Sequence, residues 1–524
     1  MSLPPRDFLV HGAYAPCVSP RVFRAGPLSL EYENGDIRAV KLGDREIIRR
    51  IYGAVRDRNW HTVPGEVSRF DENVLSPGFY VSFDCRHQFR EIDFLWRAEI
   101  AGDGYGNLRF SFNGEAHSTF LRNRIGLCVL HPILECAGAK CRALYQDGSV
   151  ADLIFPKDVA AEQPVNGFQN LVGLAHEVAP GLWAELRFSG DLFETEDQRN
   201  WIDASFKTFS TPLSLPRPVE IKVGTRIQQS LELRLQSDTD SCFSSNKSSF
   251  GVNFPAGSAA DNSEVALDLK SISQKVPFPK IGLEAADAPF LSDIEQRRLA
   301  GLKLDHLRAD VNLCEENWQA RMGRAAQLAN ALAVPMELSV HLPEGGAPGQ
   351  LGELREAIAQ IRGGVSRISG VLVGSSSTTT TALQFLKEAF HGAGIPVGGG
   401  SSADLYQLQL QPPPPESDFI FWSMNPQVHA SDDRSIMETP KGAAHQLASM
   451  TRRFPSKPLI VSPITLKPRF NPVGIGPEPP PVRGELPSTV DPRQMSLFCA
   501  AWTVAMLAAL VPSGIESMTF FKTV

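Results

Sequence analysis

The sequence predicts a large N-terminal β-sandwich followed by a (β/α)8 barrel of the TIM type that lacks its last helix. Three observations carry this. The chain has 524 residues, too many for one hydrophobic core, because single cores stop growing near about 250–300 residues. To about residue 270, short apolar runs alternate with turn residues, and no amphipathic helix of about ten residues stands out. From Phe278 the pattern changes to apolar runs separated by amphipathic stretches.

The first part predicts strands at Leu28–Tyr32, Ile37–Leu42, Gly78–Phe83, Phe94–Ile100, Leu108–Asn113, Leu182–Ser189, Val219–Val223 and Ser230–Leu235. Asn34-Gly35, Asn113-Gly114 and Asp147-Gly148 punctuate them as hairpin turns, since Gly and Asn tolerate the positive φ such turns require. This is sandwich grammar. A segment from about residue 236 to 277, poor in large apolar side chains, reads as a link, with strand-like residues at Val265–Leu269. The expected domains are therefore 1–270, link included, and 278–524.

In the second part, strands are expected at Ile281–Ala285, Leu304–Val311, Met336–His341, Ser369–Gly374, Ile395–Val397, Phe419–Asn425, Leu459–Thr465 and Ile515–Phe521. Helical stretches lie near 291–302, 315–333, 350–362, 379–393, 402–410, 438–453 and 492–511. Eight strands alternating with helices match a barrel. A doubly wound sheet usually carries a Gly-rich loop after its first strand, and here Ala286-Asp287-Ala288-Pro289 follows instead. The eighth strand runs almost to Val524, so the expectation is a truncated barrel or one whose last face the N-terminal domain covers. Proline runs at Pro412–Pro415 and Pro477–Pro481 must be extended; the second falls where loops wall barrel sites.

Composition narrows the function. A net charge of −7 argues against nucleic-acid and anionic-membrane partners, which favour basic surfaces. The eight cysteines follow no ladder or zinc spacing, which suits free thiols in a reducing compartment. Met1–Pro16 has no signal-peptide pattern, and Leu497–Val511 falls short of the roughly 20 residues that span a bilayer. A cytoplasmic protein is expected. The sequence calls for no cofactor or metal, and it leaves oligomeric state open.

Barrel chemistry sits at the carboxyl ends of the strands. Strand side chains alternate faces, so Leu307, Ala309 and Val311 face the helices while His306, Arg308 and Asp310 point inward. The same alternation turns Glu284, Glu337, Ser339 and His341 inward. Polar side chains in a barrel interior are costly unless paired or used. Arg308 with Asp310 suits either an ion pair or a site, whereas Glu284 and His341 lie nearest the strand ends. Strand six leads into Asn425, Gln427 and His429, amides and an imidazole suited to hydroxyls, followed by Asp432 and Asp433, which suit a helix cap. Strand seven leads into Lys467-Pro468-Arg469-Phe470-Asn471, cations suited to an oxyanion. Strand four ends Gly374-Ser375-Ser376-Ser377-Thr378 and strand seven ends without a carboxylate, so the two-carboxylate glycosidase scheme is not expected. No Gly-x-Ser-x-Gly elbow, His-Glu-x-x-His or phosphate loop is present.

The β domain has its own signal. Arg56-Asp57-Arg58-Asn59-Trp60 and Asp197-Gln198-Arg199-Asn200-Trp201 share a pattern, and the second continues through Asp203 to Lys207-Thr208. Aromatic faces with charged partners suit polyol binding; a salt-bridged domain junction is the structural alternative.

Ile51–Trp60, Arg124–Pro132, Glu196–Thr208, Leu466–Asn471, the proline-rich loop and Asp491–Met495 together resemble the bacterial D-apionate lactonases of apiose breakdown. The resemblance covers nearly the whole chain. It implies a β domain, a barrel and a further C-terminal β region, and an enzyme that opens D-apionolactone to D-apionate. The chain departs from the family at strand eight, where Phe521-Lys522-Thr523-Val524 stands in place of Glu-Thr-Thr-Gly.

Lactone opening needs a base for the attacking water and stabilisation of the oxyanion. The expected roles are base for Glu284 or His341 and oxyanion support for Arg308 or Lys467. Asp310, Asn425, Gln427, His429, Arg199, Asn200, Trp201 and Asp203 are expected to contact a small sugar lactone. The alternatives are a non-catalytic carbohydrate-binding relative and a glycoside hydrolase with an unusual acid pair.

Overall fold

The computed structural model describes residues 5–12, 19–237, 242–243, 276–286, 291–474, 484 and 486–523. The strand-like residues at Val265–Leu269 and the proline run Pro477–Pro481 lie outside them. No helix among the described residues is long and apolar enough to cross a membrane.

Two antiparallel sheets come first. The eight-stranded sheet runs in the order Arg21–Ala25, Leu28–Glu33, Asp36–Leu42, Arg45–Asp57, Phe120–Pro132, Ser205–Phe209, Glu194–Asp197, with Val219–Ile221 also paired to Phe120–Pro132. The nine-stranded sheet runs from Val150–Ile154 at one edge to Gly65–Leu75 at the other. Their inner faces share one core. Trp96 stacks on Phe112 at 4.6 Å between ring centroids and meets Phe83 edge-on at 5.5 Å.

Four of the strands missed in the sequence explain themselves here. Arg45–Asp57, Phe120–Pro132, Glu194–Asp197 and Ser205–Phe209 are buried on both faces for most of their length. Alternation marks a strand with one wet face. These strands have none, because their second face packs against the barrel. That face carries Tyr52, Ala54, Cys128 and Phe209.

The second part closes into an eight-stranded parallel barrel. Its strands are β1 (Lys280–Glu284), β2 (His306–Asn312), β3 (Met336–Leu342), β4 (Val365–Leu372), β5 (Val397–Ser401), β6 (Ile420–Met424), β7 (Leu459–Ile464) and β8 (Ser517–Lys522). The intervening helices are α1 (Asp293–Gly301), α2 (Trp318–Leu332), α3 (Pro348–Ile358), α4 (Thr380–Ala389), α5 (Leu405–Leu410), α6 (Asp433–Arg453) and α7 (Leu497–Leu510). β8 pairs with both β7 and β1, so closure is complete. β4 and β5 sit a few residues away from the positions expected. β5 is Val397-Gly398-Gly399-Gly400-Ser401, a composition that disfavours strands. A Cβ at Gly400 would collide with the Phe421 backbone of β6, so close strand approach demands the glycine.

Helix α6 joins the two parts. Asp432 caps it by accepting from the Ser435 N–H at 2.9 Å and also pairs with Arg38 at 2.9 Å and Arg50 at 3.3 Å from the sheet. Glu438 takes Arg49 at 2.6 Å. At Gly442 the helix lies against the carbonyls of Ile202 and Asp203, where any Cβ would clash. Arg199, fully buried, donates to Asp197 and to the carbonyls of Pro156, Lys157 and Asp158, while its own carbonyl accepts from Gln446 of α6 at 2.6 Å.

Two outcomes follow. Arg199→Ala leaves the Asp197 carboxylate buried without its partner, and chemical denaturation is expected to show a loss of about 3–5 kcal/mol, the range for breaking a buried pair from one side. Burial raises the Asp432 pKa, but Arg38 and Arg50 outweigh it and hold the group at about 2. A depressed folded-state pKa gives stability that is present above the unfolded value near 3.8 and is lost as pH falls toward 2. Thermal melts between pH 5 and about 2 are expected to show a fall that Asp432→Asn makes shallower.

Candidate active site

The barrel interior is polar, and the inward residues read from alternation all line it. Low in the barrel, Glu337 pairs with Arg367 at 3.0 Å and His306 at 3.4 Å, and His306 Nε2 lies 2.9 Å from the Thr519 hydroxyl. Arg308 crosses the interior to donate to Ser462 of β7 at 2.9 Å. It also donates to Asp310 at 2.8 Å.

The upper layer forms at the carboxyl ends. Arg469, on the loop after β7, pairs with Asp310 of β2 at 2.9 Å and Glu284 of β1 at 3.2 Å. Lys522, at the end of β8, stands 3.6 Å from Glu284. A cation therefore occupies the strand-eight end where the family resemblance implies an acid. Asp310 is pushed up by burial, but Arg308 and Arg469 overcome that and hold it well below the usual carboxylate range. His341 of β3 lies opposite Asn312. Burial lowers its imidazole below the ordinary value, against the pull of Asp310, so it is neutral at pH 7. Its side chain makes no hydrogen bond with a described residue. Glu284 and Arg308 are both committed to partners, whereas His341 is a neutral base beside two fixed guanidinium groups.

Of the two cations that the sequence offers after strand seven, Lys467 was expected to support the oxyanion, and Arg469 is the one that reaches the site. The run Lys467-Pro468-Arg469 was legible as cationic, yet Lys467 pairs with no described carboxylate while Arg469 reaches two strands. Arg469 Nε is buried without a hydrogen-bond partner among the described residues.

A second cluster lies at the ends of β5 and β6, under the β domain. His429 Nδ1 is 2.7 Å from the Asp203 carboxylate, and its Nε2 is 3.6 Å from Glu196. Glu196 pairs in turn with Lys207. Burial drives His429 well below its ordinary pKa, aided by Lys207 and Arg56, and pushes Asp203 up to about 7. Trp201 lies 5.0 Å from the His429 ring and 4.9 Å from Tyr406 of α5. Tyr406 and Glu196 were not singled out in the sequence.

The other expected contacts are placed as follows. Arg199 and Asn200 are fully buried; Asn200 accepts from Gln409 at 2.6 Å, and neither presents a face to the barrel mouth. They build the junction, the structural alternative weighed from the sequence. Gln427 donates to Asp491 at 2.6 Å and to the Leu466 carbonyl at 2.7 Å, which braces the loops after β6 and β7. Asn425 is buried and its Oδ1 accepts from the Gln427 N–H at 3.4 Å. The loop after β7 also touches the β domain, where Asn471 donates to the Asn59 carbonyl at 2.8 Å. Among the described residues, no group of three or more His, Cys, Asp and Glu side chains is placed to hold a metal ion.

Residues 9–238 match the N-terminal domain of the D-apionate lactonases and residues 281–524 match their TIM-barrel domain. The chain belongs to the D-apionate lactonase family. It is 27% identical to the D-apionate lactonase of Brucella anthropi over 543 aligned positions, covering 98% of this chain and 84% of that one. Among solved structures, a β-arabinopyranosidase shares 7% identity, with 81% of this chain and 73% of that one covered at a TM-score of 0.29. A galactose 1-epimerase from Lactobacillus acidophilus shares 6%, with 41% and 92% covered at 0.27. At such scores neither likeness carries an argument. Membership of the lactonase family agrees with the resemblance read from the sequence, and so does the TIM barrel.

The His341 environment is open to direct test. Its imidazole should titrate with a midpoint below 6.5 by NMR, and Asp310→Asn should lower that midpoint further. A midpoint above 7 would mean that an anion, not burial, governs the ring.

Proposed function

We propose that the chain hydrolyses a sugar-derived lactone, D-apionolactone to D-apionate, at the upper layer of the barrel. The observation that carries this reading is the neutral His341 imidazole set beside the Arg469–Asp310–Glu284 network. His341 takes a proton from water, which adds to the lactone carbonyl. Arg469 faces the charge that develops on the carbonyl oxygen, in a site where fixed donors act more strongly than in bulk water. Collapse breaks the ring C–O bond. The imidazolium returns its proton to the leaving alkoxide, and the product is the hydroxy acid, which ionises. Asp310 and Glu284 hold Arg469 in place.

This arrangement argues against a glycosidase acid pair. Such a pair needs one carboxyl group protonated as general acid. Asp310 is held ionised by two guanidinium groups, and Glu284 faces Arg469 and Lys522.

His341→Ala is expected to lower kcat for D-apionolactone by about 10²–10⁴, the usual worth of a general base. Arg469→Ala is expected to lose roughly 10²–10³, the worth of an oxyanion donor. The His429–Asp203 pair supports a second reading, in which His429 is the base. His429→Ala separates the two: full activity in His341→Ala with loss in His429→Ala moves the chemistry to the domain junction. Release of acid followed by pH-stat, for the parent and both variants, decides between them. No acid release by the parent would leave the carbohydrate-binding relative as the reading.

A further inference from the structure

The junction between the β domain and α5 forms an open cavity of about 570 Å³, within the range of small-ligand pockets, which favour domain interfaces. It lies beside the end of β5 rather than over the Arg469 network. Glu162, Gln169, Asn170 and Glu194 of the β domain face Tyr406 and Gln409 of α5 across it. No Lys or Arg is among the described residues that line it. The side chains of Gln169 and Asn170 make no hydrogen bond to a described residue, so their donors and acceptors are open. Glu194 is only 1% exposed, and its Oε1 accepts from the Leu213 N–H at 2.6 Å. Its Oε2 has no hydrogen-bond partner among the described residues. The Tyr406 ring is fixed from behind by Trp201.

We propose that this cavity is a second binding site, taking a neutral polyhydroxylated ring or chain and refusing the corresponding sugar acid. Amides, a phenol and a carboxyl group offer both donors and acceptors, as hydroxyls require. An anionic ligand would meet Glu162 and Glu194 with no cation in the lining to offset them. Arg124 and Arg217 act on Glu194 from outside the lining, and burial pushes Glu194 up to about 7, which lets it donate as well as accept. Binding of a neutral polyol does not depend on hydrolysis at the strand ends; only the identification of that polyol with a lactone rests on the proposed function. A site of this kind holds the neutral substrate near the barrel mouth and has no hold on the ionised product.

The test uses the full chain with xylitol as neutral probe and xylonate as anionic probe, both followed by calorimetric titration. Xylitol is expected to saturate, with xylonate at least about tenfold weaker, a gap of roughly 1.4 kcal/mol. The double variant Gln169→Ala with Asn170→Gly changes residues outside the core and keeps the positive φ of position 170, which glycine adopts freely, and it is expected to weaken xylitol about tenfold. Glu194→Gln is expected to narrow the gap between the two probes. His341→Ala is expected to lower lactone hydrolysis by the factor given above and leave xylitol binding intact, which separates failure of this site from failure of the catalytic reading. Absence of saturable xylitol binding, xylonate bound as tightly as xylitol, or equal xylitol affinity in the double variant would each overturn the proposal.

Discussion

Burial of the outer face of the eight-stranded sheet is the constraint on which the rest of the structure depends. A sheet that packs on both sides must bring its polar side chains into a dry contact. Here they are guanidinium groups. Arg38, Arg49 and Arg50 meet Asp432 and Glu438 of α6, and Arg199 satisfies three carbonyls and Asp197. The planar fork of arginine suits such multiple bonding better than lysine would. Because these pairs set how the sheet meets the helix, they also set where Glu196, Trp201 and Asp203 stand over the ends of β5 and β6.

The barrel answers a similar problem inwardly. Side-chain layers in such barrels are commonly branched and apolar. This interior instead stacks Glu337, Arg367 and His306 below Arg308 and Asp310, and closes on Arg469. Arg308 is offset by Asp310 on its own strand and the other charges by neighbours on other strands or on the loop after β7, so the network ties β1, β2, β3, β4 and β7 together. The cost of burying charge is met by pairing, and the surplus of cations at the top gives the strand ends a positive field suited to a developing oxyanion.

How much of this was legible in the sequence depended on how each residue is buried. Seven barrel strands were found because their helix-facing sides are apolar and their spacing is regular, whereas β5, with its run of glycines, was met only at Val397. The inward set Glu284, His306, Arg308, Asp310, Glu337 and His341 followed from alternation alone. The doubly buried strands were not found, since Glu194–Asp197 shows polar residues on a segment without one exposed position. The Asp-Gln-Arg-Asn-Trp run was visible as unusual, but sequence could not divide it. Arg199 and Asn200 turn into the junction, while Trp201 and Asp203 turn toward His429. Tyr406 carried no signal, because a lone aromatic on a short helix reads as core. Its importance comes from the cavity, which only the packing of two domains creates.

The junction also imposes an order on synthesis. The sheet that carries Tyr52, Ala54, Cys128 and Phe209 on its outer face is complete when Ile221 has been made, but α6 begins at Asp433. At roughly 5–20 residues per second, the nascent chain holds that surface uncovered for roughly 10–40 s. Its arginines then serve a purpose that the finished protein conceals. Until their partners on α6 exist, they keep a face destined for burial charged and wet, and so guard the half-made protein against sticking to its neighbours on the polysome.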